Sequence, residues 1–289
     1  MHSQSSAANA SLTLLALLAF AANSLFCRLG LHAGAIDAAS FTSIRLLSGA
    51  LMLTLLLLLR QRRRQAPLHL PLRPLAALSL FAYAILFSFA YLELDTGIGA
   101  LILFGCVQLT MIGHGLVRGN RPAAIEWLGI LLAAGGLVLL LLPGASAPSP
   151  FAACAMALAG AAWGLYSLLG RGNSDALAGT AANFMLALPL GLAVSLAGVT
   201  EPALETRGVL FAVASGALAS GCGYALWYQV LPRLTPTTAA TVQLTVPALA
   251  ALGGVLLLAE PLSLRLVLSG TLTLGGIALV IRAGARGAR

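Results

Sequence analysis

The sequence predicts an all-α polytopic membrane protein of ten transmembrane helices, built as two inverted five-helix repeats over residues 1–145 and 146–289. Three observations predict it. First, 60% of the residues are hydrophobic and 8% are charged. That is about a third of the charge content of a soluble domain, so a soluble chain of this composition would have no polar coat. Second, the apolar residues fall into runs of roughly 20, long enough to cross about 30 Å of hydrocarbon as helices. Third, three short segments recur in order at nearly the same offset. Phe20-Ala21-Ala22-Asn23-Ser24-Leu25-Phe26 is echoed by Gly160-Ala161-Ala162-Trp163-Gly164-Leu165-Tyr166. Val107-Gln108-Leu109-Thr110 returns as Val242-Gln243-Leu244-Thr245, and Gly135-Gly136-Leu137-Val138-Leu139 as Gly275-Gly276-Ile277-Ala278-Leu279. An ordered internal echo marks a duplication.

The first apolar run, 10–31, follows no basic leader and has no clean cleavage site, so it reads as a membrane helix rather than a signal peptide. The second, 37–60, stops at the basic tract from Arg60 to Arg73, which contains Pro67 and Pro71. The third, 73–93, and the fourth, 96–118, are separated by Glu93-Leu94-Asp95. Gly119-Asn120-Arg121-Pro122 then leads into the fifth, 122–142. Pro143-Gly144 to Pro150 opens the sixth, 150–171, and Gly170 to Asp175 the seventh, 177–198. Pro202 precedes the eighth, 206–231; Pro232 to Pro236 the ninth, 236–258; and Glu260-Pro261 the tenth, 262–283. Proline, glycine and charge are the expected punctuation of such runs.

Arginine sets the orientation. With the N-terminus in the cytoplasm, the inner loops hold Arg60, Arg62, Arg63, Arg64, Arg73, Arg118, Arg121, Arg171, Arg233, Arg282, Arg286 and Arg289. The outer loops hold Arg207 and Arg265, together with Asp37, Glu93, Asp95, Glu201, Glu205 and Glu260. Both termini are therefore expected in the cytoplasm, in the cell inner membrane, with an even number of crossings. Five helices per copy is odd, so the second copy is turned over relative to the first. Inverted repeats are transporter architecture, with a site near the midplane where the copies meet.

Several classes drop out. The net charge of +8 sits in short loops between apolar runs rather than on one soluble face, so a nucleic-acid partner is not expected. Cys27, Cys106, Cys154 and Cys222 lie inside apolar runs without paired spacing; no disulfide, metal or cofactor is expected. The chain has no phosphate-binding glycine loop for a nucleotide-driven motor and no metalloprotease or serine–base spacing for a membrane enzyme.

Polar and aromatic residues at mid-membrane depth are the candidates for a solute site. Tyr83, Phe87 and Tyr91 recur at helical spacing on one face of the third run, and Tyr224 and Tyr228 do so on the eighth. Trp163 and Tyr166 share a face of the sixth, Asn23 shares one of the first with Phe26 and Cys27, and Gln108 and Gln243 lie on the fourth and ninth. Facing lipid, such groups would go unpaired at a cost of several kcal/mol. Gathered together, Asn23, Tyr83, Phe87, Gln108, Trp163, Tyr166, Tyr224 and Gln243 would line a cavity with apolar walls and few polar fingers, suited to a small amphipathic solute. Ordinary interhelical packing is the competing reading for each, and an interfacial belt explains Tyr91 and Tyr228 equally well. Arg45 stands alone deep in the second run and Arg28 near the outer end of the first. Each is either an anion contact or a residue with a fixed structural partner, and Arg28 could instead snorkel to the interface. His114 could titrate in the inner third of the fourth helix. No carboxylate falls at mid-helix, which points to a facilitator driven by the substrate gradient or to coupling through a less obvious group. Pro247 and Pro189 are kink candidates, and a kink beside Gln243 would free backbone carbonyls.

Arg45-Leu46-Leu47-Ser48-Gly49-Ala50, and Val255-Leu256-Leu257-Leu258-Ala259-Glu260-Pro261-Leu262-Ser263 leading to Gly270 and Gly275-Gly276, resemble the EamA-type members of the drug/metabolite transporter superfamily. The first half departs from the pattern, because Arg118-Gly119-Asn120-Arg121-Pro122 lacks the turn glutamate. The resemblance implies a carrier of small metabolites, with a central cavity lined by helices one, three, four, six, eight and nine. It extends to the YddG-type amino-acid exporters. The expected partners are the lipid bilayer and a small-molecule substrate, an amino acid or similar metabolite, aromatic or apolar in view of the lining. A drug or nucleotide-sugar carrier is the alternative within the superfamily. A monomer is plausible.

Overall fold

The computed structural model describes residues 2–64, 70–144, 147–171, 174–198, 203–234 and 236–287. Pro67, Glu201, Pro202 and Arg289, used above as loop markers, lie outside them. The described residues are helical, without strands; Ile36 and Leu204 form one isolated bridge. The helices are α1 His2–Leu31, α2 Ala38–Arg64, α3 Pro74–Ala90, α4 Thr96–Val117, α5 Ala124–Leu141, α6 Pro150–Leu169, α7 Ala176–Gly198, α8 Thr206–Val213, α9 Gly223–Val230, α10 Pro236–Gln243, α11 Val246–Leu258 and α12 Leu264–Gly287. Nine stretches among the described residues are long and apolar enough to cross a membrane, and α3 is a shorter apolar helix of 17 residues. This is a multi-pass membrane protein.

Two expected helices are each made of two pieces. In the eighth, α8 passes into α9 through a π-helical stretch, Ala214–Cys222. Its small residues let it press against α2. A Cβ on Gly216 would stand 2.0 Å from Ser48 Oγ and 2.2 Å from the Arg45 carbonyl oxygen, so only glycine fits. In the ninth, α10 stops at Gln243 and α11 restarts at Val246. Leu244 and Thr245 donate back only three residues, to Thr241 and Val242. Pro247 has no N–H to offer the carbonyl of Gln243 four residues back. The kink expected at Pro247 thus takes the form of a tightened turn at Leu244 and Thr245, within one apolar span over Thr238–Leu258. Pro189, by contrast, sits inside an uninterrupted α7.

Helix starts follow local chemistry. Pro74 and Pro150 open α3 and α6, where a missing N–H costs nothing. Asp37 Oδ1 accepts the Ser40 N–H at 2.8 Å ahead of α2, and Asp175 Oδ1 accepts the Ala178 N–H at 3.0 Å ahead of α7.

Cross-bundle contacts sort the loops into two ends. At one, Arg60 pairs with Asp175, Arg73 Nη1 donates to the Leu169 carbonyl at 3.0 Å, and Arg233 reaches Asn9. At the other, Arg28, Asp95, Thr96 and Glu260 meet, Ile36 bridges Leu204, and Arg265 reaches the Leu142 carbonyl. We call these the arginine end and the carboxylate end. Large leucines exposed on the perimeter, such as Leu51, Leu131, Leu196 and Leu256, are suited to lipid, since no core partner covers them.

Candidate functional site

A central cavity of about 670 Å³ opens between the helices. Its lining includes all eight residues expected from the sequence: Asn23, Tyr83, Phe87, Gln108, Trp163, Tyr166, Tyr224 and Gln243. It also includes Arg73, Gly170, Arg171, Ala176, Leu231 and Ala239, which belong to the arginine end. The cavity therefore reaches that end of the bundle. Among the described residues, the carboxylate end contributes none of its charged side chains to the lining.

Trp163, half-buried on α6, is the hub of the aromatic wall. Its ring centroid lies 4.7 Å from Tyr83, 5.2 Å from Tyr166 and 5.6 Å from Tyr224, stacked at 23° on the last. Tyr224 stacks in turn on Tyr228 at 6.0 Å, and Tyr83 meets Phe87 at 5.3 Å. Such pairs add about 0.5–1.5 kcal/mol each beyond the area they bury, so the wall is held in place before any solute enters. Tyr228 is not an interfacial belt residue: it lines the cavity, and its hydroxyl lies 2.8 Å from Thr180 Oγ1. Nor is Tyr91, which is fully buried and donates to the Thr96 carbonyl at 3.2 Å.

The polar fingers are few and mutually oriented. Asn23 Oδ1 accepts from Ser215 at 2.7 Å, and Asn23 Nδ2 donates to the Tyr83 hydroxyl oxygen at 3.0 Å. Arg45 Nη2 donates to the same oxygen at 2.9 Å. Tyr166 donates to Thr180 at 3.3 Å, and Asn183 donates to Tyr166 at 3.4 Å. Gln108 on α4 and Gln243 at the turn between α10 and α11 complete the lining.

Arg45 is 2% exposed and does not itself line the cavity. Its guanidinium lies 5.0 Å from the Tyr83 centroid and 5.1 Å from that of Phe87. A cation at mid-membrane depth costs about 2.5–3.5 kcal/mol on insertion scales. Two cation–π contacts of about 1 kcal/mol each and one hydrogen bond of about 1 offset most of it. Among the described residues its Nε and Nη1 still have no hydrogen-bond partner. His114 is half-buried towards the end of α4 and is absent from the lining, so the structure does not bring it to the site.

Arg28 has fixed partners. It donates to the Tyr91 and Leu92 carbonyls at 3.0 Å each, and lies 3.8 Å from Asp95 and 3.6 Å from Glu260. Glu260 accepts the Thr96 N–H at 2.8 Å and the Thr96 hydroxyl at 2.9 Å. Ala259, with φ 52°, makes the turn that aims the carboxylate, and Gly254 leaves room for it. This cluster ties α1, α4 and the loop after α11 together at the carboxylate end.

Sequence reasoning missed α7, which adds Ala176, Gly179, Thr180 and Asn183 to the lining. The family-derived set of helices one, three, four, six, eight and nine is short by that one. The available signal was Asn183, a lone amide in an apolar run. Phe20 and Trp227, also in the lining, were hidden among ordinary apolar residues.

Comparison with known proteins places this architecture. The EamA-like transporter family model matches residues 150–282. The uncharacterized protein PA1977 of Pseudomonas aeruginosa is 54% identical over 278 residues, 93% of each chain. A solved crystal structure superposes with a TM-score of 0.67 over 98% of this chain and 99% of its own, at 17% identity; that likeness is one of fold alone.

Proposed function

Because this chain belongs to one family with PA1977 and its second half carries an EamA-like transporter domain, we propose that it is a secondary transporter that exports amino acids, aromatic or apolar, by alternating access. One observation carries the reading: eight residues chosen for depth and polarity converge on one cavity, reachable from one end and sealed at the other. Its volume is in the range of small-molecule sites, about 300–1,000 Å³, and its walls are aromatic rings around a few oriented amides and hydroxyls.

The protein resides in the cell inner membrane with both termini and the arginine end in the cytoplasm. The state described here then faces inward, ready to load a solute for export. Ten crossings follow if α3 is counted. Its 17 residues span about 25 Å, near the lower limit for a transmembrane helix, and it supplies Tyr83 and Phe87.

Two inverted five-helix copies are supported by the packing. Exchanging each of the first five spans with its counterpart five later maps the contacts onto one another. α2 packs on α7, α4 on α11 and α5 on α12, each pair its own image. α3 on α6 is matched by α1 on the eighth span, α4 on α6 by α1 on α11, and α3 on α7 by α2 on the eighth span. Asp37 and Asp175 cap the second helix of each copy in the same way.

The test is counterflow in proteoliposomes loaded with radiolabelled phenylalanine and challenged with a panel of amino acids. Saturable, selective exchange is expected, falling at least tenfold in Trp163→Ala and Gln243→Ala. Absence of exchange with every amino acid, from monodisperse protein, refutes the substrate class.

A further inference from the structure

The Tyr83 hydroxyl is set up as a donor with nothing to donate to. A phenolic oxygen has two acceptor positions and one hydrogen. Both acceptor positions are filled from behind the cavity wall, by Arg45 Nη2 at 2.9 Å and Asn23 Nδ2 at 3.0 Å. Asn23 is held in that orientation by the Ser215 hydroxyl on its Oδ1 at 2.7 Å. The hydrogen of Tyr83 must therefore point elsewhere. Among the described residues no acceptor takes it, and Tyr83 lines the cavity.

The charge around this donor has one sign. Arg45 is 2% exposed, stands directly behind the hydroxyl, and has two nitrogens without a partner among the described residues. No acidic residue is among the described lining residues, while Arg73 and Arg171 stand where the cavity meets the arginine end. The acids nearest in sequence to the seal, Asp95 and Glu260, are engaged by Arg28. In a low-dielectric site an uncompensated cation attracts an anion strongly, and a hydrogen bond to an ionised acceptor is about twice as strong as a neutral one. A solute's ammonium group would meet aromatic faces but no carboxylate.

We infer that the cavity selects its solute by an acid group: a carboxylate accepts the Tyr83 hydrogen bond, backed by Arg45, while the apolar part of the solute lies against Trp163, 4.7 Å from Tyr83. This rests on the transporter reading above and narrows it. The amino group of an amino acid is tolerated but not read, so a free aromatic monocarboxylate fits the same place. Arg45 acts through Tyr83 and is a positioning residue.

The experiment is calorimetric titration of the purified full-length protein in nanodiscs with four probes: phenylalanine, 3-phenylpropionate, phenylalaninamide and phenethylamine. The two acids are expected to bind at least tenfold more tightly than the amide and the amine. In Tyr83→Phe the gap should close to within about threefold, through loss on the acids alone. The wild-type comparison needs no variant, so a misfolded Tyr83→Phe does not rescue the idea. If the amide binds as well as the acid, or Tyr83→Phe keeps the full gap, the acid subsite falls while the aromatic-solute reading stands. If none of the four binds, both fall.

Discussion

Replacing Glu260 by alanine tests what holds the carboxylate end shut. The carboxylate accepts two hydrogen bonds from Thr96, at 2.8 and 2.9 Å, and lies 3.6 Å from Arg28 Nε. Hydrogen bonds to a charged acceptor contribute about 1.5–3 kcal/mol each, and the burial that raises the Glu260 carboxyl works against them. Taking the lower figure because the cluster borders solvent, the pair amounts to about 3 kcal/mol. The ion pair, at side-chain exposures of 19% and 9%, adds at most about 1. Losing about 3–4 kcal/mol from the sealed state shifts the equilibrium towards the opposite, open state roughly 100- to 1,000-fold. Ser24 reports it, because it lies in the cavity wall at 1% exposure and becomes reachable from the carboxylate side only when that end opens. With Cys27, Cys106, Cys154 and Cys222 replaced by alanine and Ser24→Cys added, vesicles of known sidedness are exposed to an impermeant maleimide. Labelling from the carboxylate side should rise at least tenfold on Glu260→Ala. Unchanged labelling on both sides would show that the Glu260 cluster is not what keeps the site closed, and the two-ended reading would fail with it.

Burial pushes the Glu260 carboxyl above its ordinary value of 4.5, with the Thr96 bonds and Arg28 pulling against it. The sealed state therefore binds the proton more tightly than an open one. The protonation contribution to sealing is full below 4.5 and is lost as pH rises through the raised value. Labelling of Ser24→Cys from the carboxylate side, divided by that of the same protein with Glu260→Gln, should rise across that window; a flat ratio counts against it. Asp175 has the opposite sign: burial raises its carboxyl, but Arg60 and the Ala178 N–H outweigh that and lower it overall. Its contribution is present above 3.8 and lost as pH falls through the lowered value, so the melting temperature of wild type relative to Asp175→Asn should fall on acidification there. Gly216→Ala should cost about 1–3 kcal/mol by overpacking, read as a lower melting temperature, since its Cβ would meet the Arg45 backbone at 2.2 Å. Gly275→Ala, with nothing within 4 Å of its Cβ, should be neutral or stabilising by up to about 1 kcal/mol. Equal effects from the two substitutions would refute the packing described for the π-helical stretch.

What the sequence made legible follows from the solvent. Lipid penalises any polar group that faces it, so Asn23, Gln108, Tyr224 and Gln243 could be assigned to an interior from depth alone. Helical spacing then put Tyr83 with Phe87 and Trp163 with Tyr166. Two features were out of reach, and one, the α7 face, was signalled only by the lone amide of Asn183. The π-helical stretch over Ala214–Cys222 arises from close packing between helices, and small residues permit that without specifying it. Thr180 and Asn183 join the cavity because α7 turns that face inward, a rotation set by α2 and α3. The pairing of Arg28 with Glu260 links residues 232 positions apart, and each alone reads as a loop charge or a snorkelling side chain.

If the two halves are read as a duplication, their asymmetry bears directly on which way the cavity faces. Ala259 follows Gly119 by 140 positions, the offset that also separates Gly275-Gly276 from Gly135-Gly136. Both residues adopt positive φ, 90° at Gly119 and 52° at Ala259, so the backbone turns alike after α4 and after α11. The residue that each turn aims differs: Asn120 in the first copy, Glu260 in the second. In the duplicated reading, the counterpart of Thr96 is Pro236, which has no N–H and no hydroxyl to give. One end of the bundle thus has a carboxylate, two donors and an arginine to close on, while the corresponding sequence positions are a neutral amide, Asn120, and a proline, Pro236. Two copies with matching backbones would favour neither direction. The substitution of charge and donors at one turn is enough, at about 3 kcal/mol, to hold the carboxylate end shut and leave the cavity open at the arginine end.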